Sequence, residues 1–278
     1  MHSIRKVYVI HHSHTDIGYT DLQERIIDTQ INYIRTVIEL MEKPENQDFR
    51  WTCETLFCVE QFLKEADDHE KAALLRLIKD GKIGLSASYF NFTDLVDCPI
   101  YQERLLNWSD YFRQHDIKMQ TAMIADINGI SMGQRDALIK AGVEFLFTNI
   151  HCHHGMYPMY QNQNAYWWEN AEGEKLLVWN GEHYNIGNAL GIKPNTNVNY
   201  MIQNYMGDDS VNENAVKTLY NNLDAYLTSC ENEGYPYDFI ITAVSGVFSD
   251  NAPPSLEILH TIDAYNQLSE AVPIQMVS

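Results

Sequence analysis

Basic side chains are scarce in this chain: 19 lysines and arginines face 38 aspartates and glutamates, a formal charge of −19 with its 11 histidines neutral. That shortage excludes nucleic acid and an anionic membrane face as partners, because both require a basic footprint. A neutral or cationic ligand, or a divalent metal, suits such a composition. Long hydrophobic runs are also missing. No apolar stretch approaches the roughly 18 residues of a membrane span. The apolar residues 7–10, which precede His11, are too few for the core of a secretory signal. The 5 cysteines (Cys53, Cys58, Cys98, Cys152 and Cys230) are odd in number and scattered, which argues against a disulfide framework. They read as reduced thiols buried in a cytoplasmic protein. Neither a glycine-rich phosphate loop after a strand nor a G-x-S-x-G elbow occurs. Nucleotide-dependent and serine-hydrolase chemistries therefore fall away.

What the chain does have is the material for a core. A hydrophobic content of 45% with 12% aromatics excludes intrinsic disorder. Its 278 residues accommodate one large α/β barrel or two ordinary domains. Strands are expected at 6–10 (KVYVI), 51–57 (WTCETLF), 83–92 (IGLSASYFNF), 121–125 (TAMIA), 145–150, 175–179 (KLLVW), 239–244 (FIITAV) and 272–277. Helices are expected after a capping box formed by Thr20 and Gln23, and over 60–79, 101–115, 134–140, 212–230 and 255–265. The Asn-, Gln-, Tyr- and Met-rich stretch before residue 175 reads as loop. About seven strand-then-crossover repeats place the chain in the α/β class. They favour a seven-stranded parallel β/α barrel, its last strand cut short, over a doubly wound sheet. Residues 1–278 read as a single domain with its function at the carboxyl ends of the strands.

Polar residues gather at those ends. After KVYVI come His11, His12, Ser13, His14, Thr15, Asp16, Ile17, Gly18 and Tyr19. Residues two apart share a face of an extended segment, so His12, His14 and Asp16 can converge. Imidazole with carboxylate suits zinc. Asp126, Asn128 and Gly129 follow TAMIA and read either as a turn or as site residues facing the same mouth as Asp16. His151, His153 and His154 end another strand, Glu182 and His183 follow KLLVW, and Asp250 follows FIITAV. Asp94 and Glu54 are weaker candidates. A carboxylate inside WTCETLF is nevertheless unusual for a buried strand. Ionisable residues closing nearly every strand are how a barrel active site is assembled.

The stretch His12-Ser13-His14-Thr15-Asp16-Ile17-Gly18-Tyr19 resembles the opening motif of the glycoside hydrolase family 38 α-mannosidases, H-x-H-x-D-x-G followed by Trp or Tyr. Ala125-Asp126-Ile127-Asn128-Gly129-Ile130-Ser131 resembles the family's second stretch. The resemblance implies a barrel holding one zinc ion, with His14, Asp16 and Asp126 as ligands and Asp126 also as nucleophile. It implies retaining hydrolysis of α-mannosides or related glycans, with a second carboxyl about 5–5.5 Å from the first as acid/base. It also implies helical and β-sandwich domains beyond this segment. Two departures stand out. Where the family carries G-x-D, this chain reads Gly181-Glu182-His183, which leaves Glu182, His183 and Asp250 as candidates for the acid/base. The family's fourth ligand, a histidine, has no obvious match, and His151, His153, His154 or His183 could substitute. His12, Tyr19 and Tyr184 are the expected substrate contacts, and no sequence feature specifies an oligomeric state.

Two rival classes fit parts of the pattern. An amidohydrolase-type metal-dependent hydrolase would use His12, His14, His151, His183 and Asp250, but it leaves Asp126 without a role. A catalytically inactive sugar-binding barrel would account for the missing G-x-D aspartate.

Overall fold

The β-branched and aromatic run KVYVIH forms strand β1 (Lys6–His11), whose alternating faces turn Val7, Val9 and His11 into the core. The computed structural model describes residues 2–92, 98–127, 129–149, 163–194, 213–246 and 250–278. Within them β1 is the centre of a parallel sheet, flanked by β8 (Phe239–Val244) and β9 (Ile274–Val277). A two-stranded parallel sheet pairs β2 (Trp51–Cys53) with β3 (Ile83–Leu85). The third sheet has the order β4 (Thr121–Ala125), β5 (Phe145–Asn149), β7 (Lys175–Gly181) and β6 (Asn164–Glu169), with β6 antiparallel to β7.

The seven-stranded parallel barrel expected from the sequence is not what the chain forms. Its described strands fall into separate sheets of 3, 2 and 4 strands, one of them mixed, and no closed barrel results. Strand length is the cause. The runs expected at 51–57 and 83–92 keep only three paired residues each, because α2 (Leu56–Glu65) begins within the first and a loop replaces the second. Strands that short offer few backbone groups to a second neighbour, and only single-residue bridges, His12 to Thr52 and Ser86 to Thr121, continue the pairing. Strand β6 forms in the stretch that the sequence reads as loop. Its aromatic residues provide strand propensity, and Trp168 packs beneath the Arg135 guanidinium at 5.1 Å.

Helices cover these sheets. The first, α1 (Gln23–Met41), buries Ile26, Ile31, Ile34, Val37, Ile38 and Met41, each such side chain stabilising the fold by about 1.5–3 kcal/mol. The expected Thr20 cap does not form; Leu22 stands at the N-cap without a side-chain bond, and the Thr20 hydroxyl accepts from Asn251 Nδ2 at 2.8 Å. The helix expected over 60–79 is two, α2 and α3 (Asp68–Lys79), separated at extended Ala66 and Asp67, where an Asp67–Glu70 capping box starts the second. The others are α4 (Cys98–Gln114), α5 (Met132–Lys140), the short α6 (Ile186–Leu190), α7 (Glu213–Asn232) and α8 (Leu256–Asn266). No helix among the described residues is long and apolar enough to cross a membrane.

Candidate active site

The chain leaves β1 still extended, so His12 and His14 project from the same side, and both meet Glu54, which follows β2. His12 Nδ1 donates to Glu54 Oε2 at 2.5 Å and His14 Nδ1 to Oε1 at 2.9 Å. All three side chains are buried. Burial alone would raise the Glu54 pKa, but the His14 charge and the two imidazole bonds hold it well below the ordinary carboxylate range. Asn91 adds a bond from Nδ2 to Glu54 Oε1 at 2.6 Å, and its Oδ1 accepts from the Ala125 amide at 3.0 Å. The Tyr184 ring stacks on His14 with centroids 4.1 Å apart.

With Nδ1 committed, His14 Nε2 points into a group of carboxylates. Asp126 Oδ2 lies 3.5 Å away and Asp16 Oδ1 3.7 Å away, neither within hydrogen-bond reach of this buried nitrogen. Asp250 completes the group: one ligand atom each from His14, Asp16 and Asp250 fall within 4.8 Å of one another. Burial would lower the His14 pKa, yet Glu54, Asp16 and Asp250 outweigh it and push it up to about 9. Burial raises the Asp16 pKa, opposed by His14 and reinforced by Asp250 and Glu54. The cluster therefore favours a positive charge at Nε2, from a proton or from a metal. An orphaned imidazole nitrogen among carboxylates is a donor set that fits zinc.

Local backbone explains how the carboxylates reach this point. Asp126 stands in the left-handed region at φ 58°, its amide donating to Asn149 O at 3.1 Å, and Asn251 does the same at φ 45°. Non-glycine residues in that region are few and gather at functional sites. Gly18 at φ 92° turns the chain after Asp16. Asn251 clamps that turn to the end of β8, donating from Nδ2 to Asp16 O at 2.9 Å and from its amide to His14 O at 2.7 Å.

Of the residues singled out in the sequence, His14, Asp16, Asp126 and Asp250 come together. His12 is enclosed beside them; its second nitrogen meets Tyr184 O at 2.9 Å, so both ring nitrogens are already engaged by the protein. Tyr184 is buried and donates from its hydroxyl to Asp250 Oδ1 at 2.8 Å. The His183 ring also lies against Tyr184, with centroids 4.2 Å apart. Glu182 is buried against Tyr226 of α7, and burial, with Glu233 adding to it, raises its pKa to about 7 against the Tyr226 hydrogen bond. Tyr19 is 78% exposed. Asp94, Asn128, His151, His153 and His154 lie outside the described residues. Sequence reasoning missed Asn91 and Asn251, and it underweighted Glu54. Only the oddity of a carboxylate in a buried run pointed to the last.

This geometry meets an independent comparison. The family model described as the N-terminal domain of glycosyl hydrolases family 38 matches residues 5–278. The chain belongs to family 38. A curated relative, alpha-mannosidase 2 of Arabidopsis thaliana, is 30% identical over 79 residues, which are 28% of this chain and 7% of the relative. An alpha-mannosidase from Enterococcus faecalis V583 superposes with TM-score 0.65 at 15% identity, over 98% of this chain and 28% of that one. A second family 38 protein from Enterococcus faecalis gives TM-score 0.62 at 12% identity, over 99% and 26%. A 4-alpha-glucanotransferase from Thermococcus litoralis gives 0.55 at 13%, over 100% and 40%. These structural likenesses carry the fold. The chain spans about a quarter of the length of its two family 38 structural relatives.

Proposed function

We propose that this chain carries the cation-dependent catalytic site of a retaining glycoside hydrolase acting on α-mannosides or related glycans. The observation that carries the proposal is the convergence of His14 Nε2, Asp16, Asp126 and Asp250 in a family 38 chain. The relatives named as mannosidases supply the substrate class.

His14, Asp16 and Asp126 would hold one zinc ion, and Asp250 would take the place of the fourth ligand. When bound, the ion supplies Lewis acidity toward sugar hydroxyls. Asp126 is the nucleophile: its carboxylate forms a bond to the anomeric carbon as the bond to the leaving oxygen breaks. That oxygen takes a proton from a second carboxyl, and with Asp250 in the ligand set Glu182 is the candidate. Glu182 is the one that holds a proton near neutrality. Tyr184 and His12 hold the framework behind the sugar. The buried free thiols Cys53, Cys58 and Cys230 support a cytoplasmic location.

The test is hydrolysis of an aryl α-mannoside with and without zinc, by wild type and by Asp126→Asn. Zinc-dependent release that is lost in the variant supports the proposal. Zinc binding with no turnover on any glycoside would instead indicate a sugar-binding module.

A further inference from the structure

We infer that Glu54 and Asn91 are positioning residues that couple the cation side of the site to the nucleophile side through one buried hydrogen-bonded bridge. The inference rests on the proposed cation site and extends it to residues outside the ligand set.

The bridge can be followed atom by atom. Glu54 Oε1 accepts from His14 Nδ1 at 2.9 Å, Asn91 Nδ2 at 2.6 Å and the Thr15 amide at 3.3 Å, while Oε2 accepts from His12 Nδ1 at 2.5 Å. One carboxylate thus organises four donors from two chain segments. Asn91 then passes the constraint on, since its Oδ1 accepts from the amide of Ala125, the residue before Asp126. His14 and Asp126 approach to 3.5 Å at one end of this path and are tied through Glu54 and Asn91 at the other. Two consequences follow. With its proton held on Nδ1 by Glu54, His14 presents the Nε2 lone pair to a cation, the arrangement by which outer carboxylates orient metal-binding imidazoles. With Ala125 fixed by Asn91, the left-handed turn at Asp126 starts from a set position.

The test is zinc affinity, measured by competition with a chelator, for wild type, Glu54→Gln and Asn91→Ala. Glutamine keeps the size of Glu54 but leaves one acceptor oxygen and puts an amide donor beside two imidazole donors. A loss of about tenfold or more is expected for it. Asn91→Ala, at a partly exposed position, is expected to lose affinity in the same direction by less. In zinc-loaded wild type the His14 Nδ1 proton, followed by nitrogen-15 NMR, is expected to exchange slowly with solvent, and in Glu54→Gln rapidly. A purely structural role would leave that signature unchanged. Variants that fold by circular dichroism and bind zinc as wild type does would overturn the inference. If Glu54→Gln does not fold, Asn91→Ala decides by the same two readouts. A wild-type chain that takes up no zinc would overturn the site proposal itself, which separates the two failures.

Discussion

The Asp126 amide donates to the Asn149 carbonyl at 3.1 Å, and this bond holds Asp126 in the left-handed turn that aims its carboxylate at His14. The turn costs an L-residue roughly 1–2 kcal/mol, a cost glycine does not carry. Asp126→Ala is therefore expected to be less stable than Asp126→Gly by about 1 kcal/mol in urea denaturation. Both are expected to abolish glycoside turnover. Equal stabilities would show that the turn carries no strain.

Glu182 gives a prediction in pH. Its pKa is raised to about 7 in the folded chain, above the value near 4.3 of an exposed glutamate. The folded state therefore favours the protonated carboxyl. The associated stability is complete below the unfolded pKa and is lost as pH rises through the folded one. Between pH 5 and about 8 the melting temperature of wild type is expected to fall by several degrees relative to Glu182→Gln, which cannot ionise. Parallel curves for the two proteins would remove Glu182 as a titrating group. If Glu182 is also the acid, the alkaline limb of the kcat profile disappears in the same variant.

Tyr184→Phe separates two roles of one side chain. The ring against His14 is kept, and the 2.8 Å bond to Asp250 is lost. A buried bond to a carboxylate contributes about 1.5–3 kcal/mol, so the urea midpoint is expected to fall by a corresponding amount. Weaker zinc binding is expected as well, because Asp250 loses the donor that orients it. An unchanged midpoint would mean that water replaces the hydroxyl.

Away from the site, Lys193 and Glu257 form an ion pair with both side chains wholly buried. Removing one partner strands a charge in the interior, so Lys193→Met is expected to lose about 3–5 kcal/mol. The double variant Lys193→Met with Glu257→Leu is expected to recover much of that loss. Additive losses in thermal denaturation would contradict this.

The convergence of His14, Asp16, Asp126 and Asp250 was legible in the sequence because they are ionisable groups at the ends of strand-like runs, where folding alone gives no reason to place them. Asn91 was not legible. Its two partners lie 37 and 34 residues away along the chain, and nothing local to YFNF distinguishes a bridging amide from a loop residue. The α/β class followed from alternating runs, whereas barrel closure depends on how many residues of each run pair on both sides. In WTCETLF the periodicity carries no mark of where the strand stops and α2 begins.

Those short pairings have a consequence for how the proposed cation site would respond to an ion. Among the isolated bridges, His12 with Thr52 joins the end of β1 to β2, and His14 with Asp250 pairs the segments that follow β1 and β8, so both lie beyond the ends of the ladders rather than inside a continuous one. A ladder moves as a whole, but an isolated bridge yields locally. If the proposed cation site is correct, Asp250 and His14 can adjust to an ion while β1 and β8 keep their register. Should zinc bind as proposed, the amides at these bridges are expected to be the ones whose hydrogen exchange slows first.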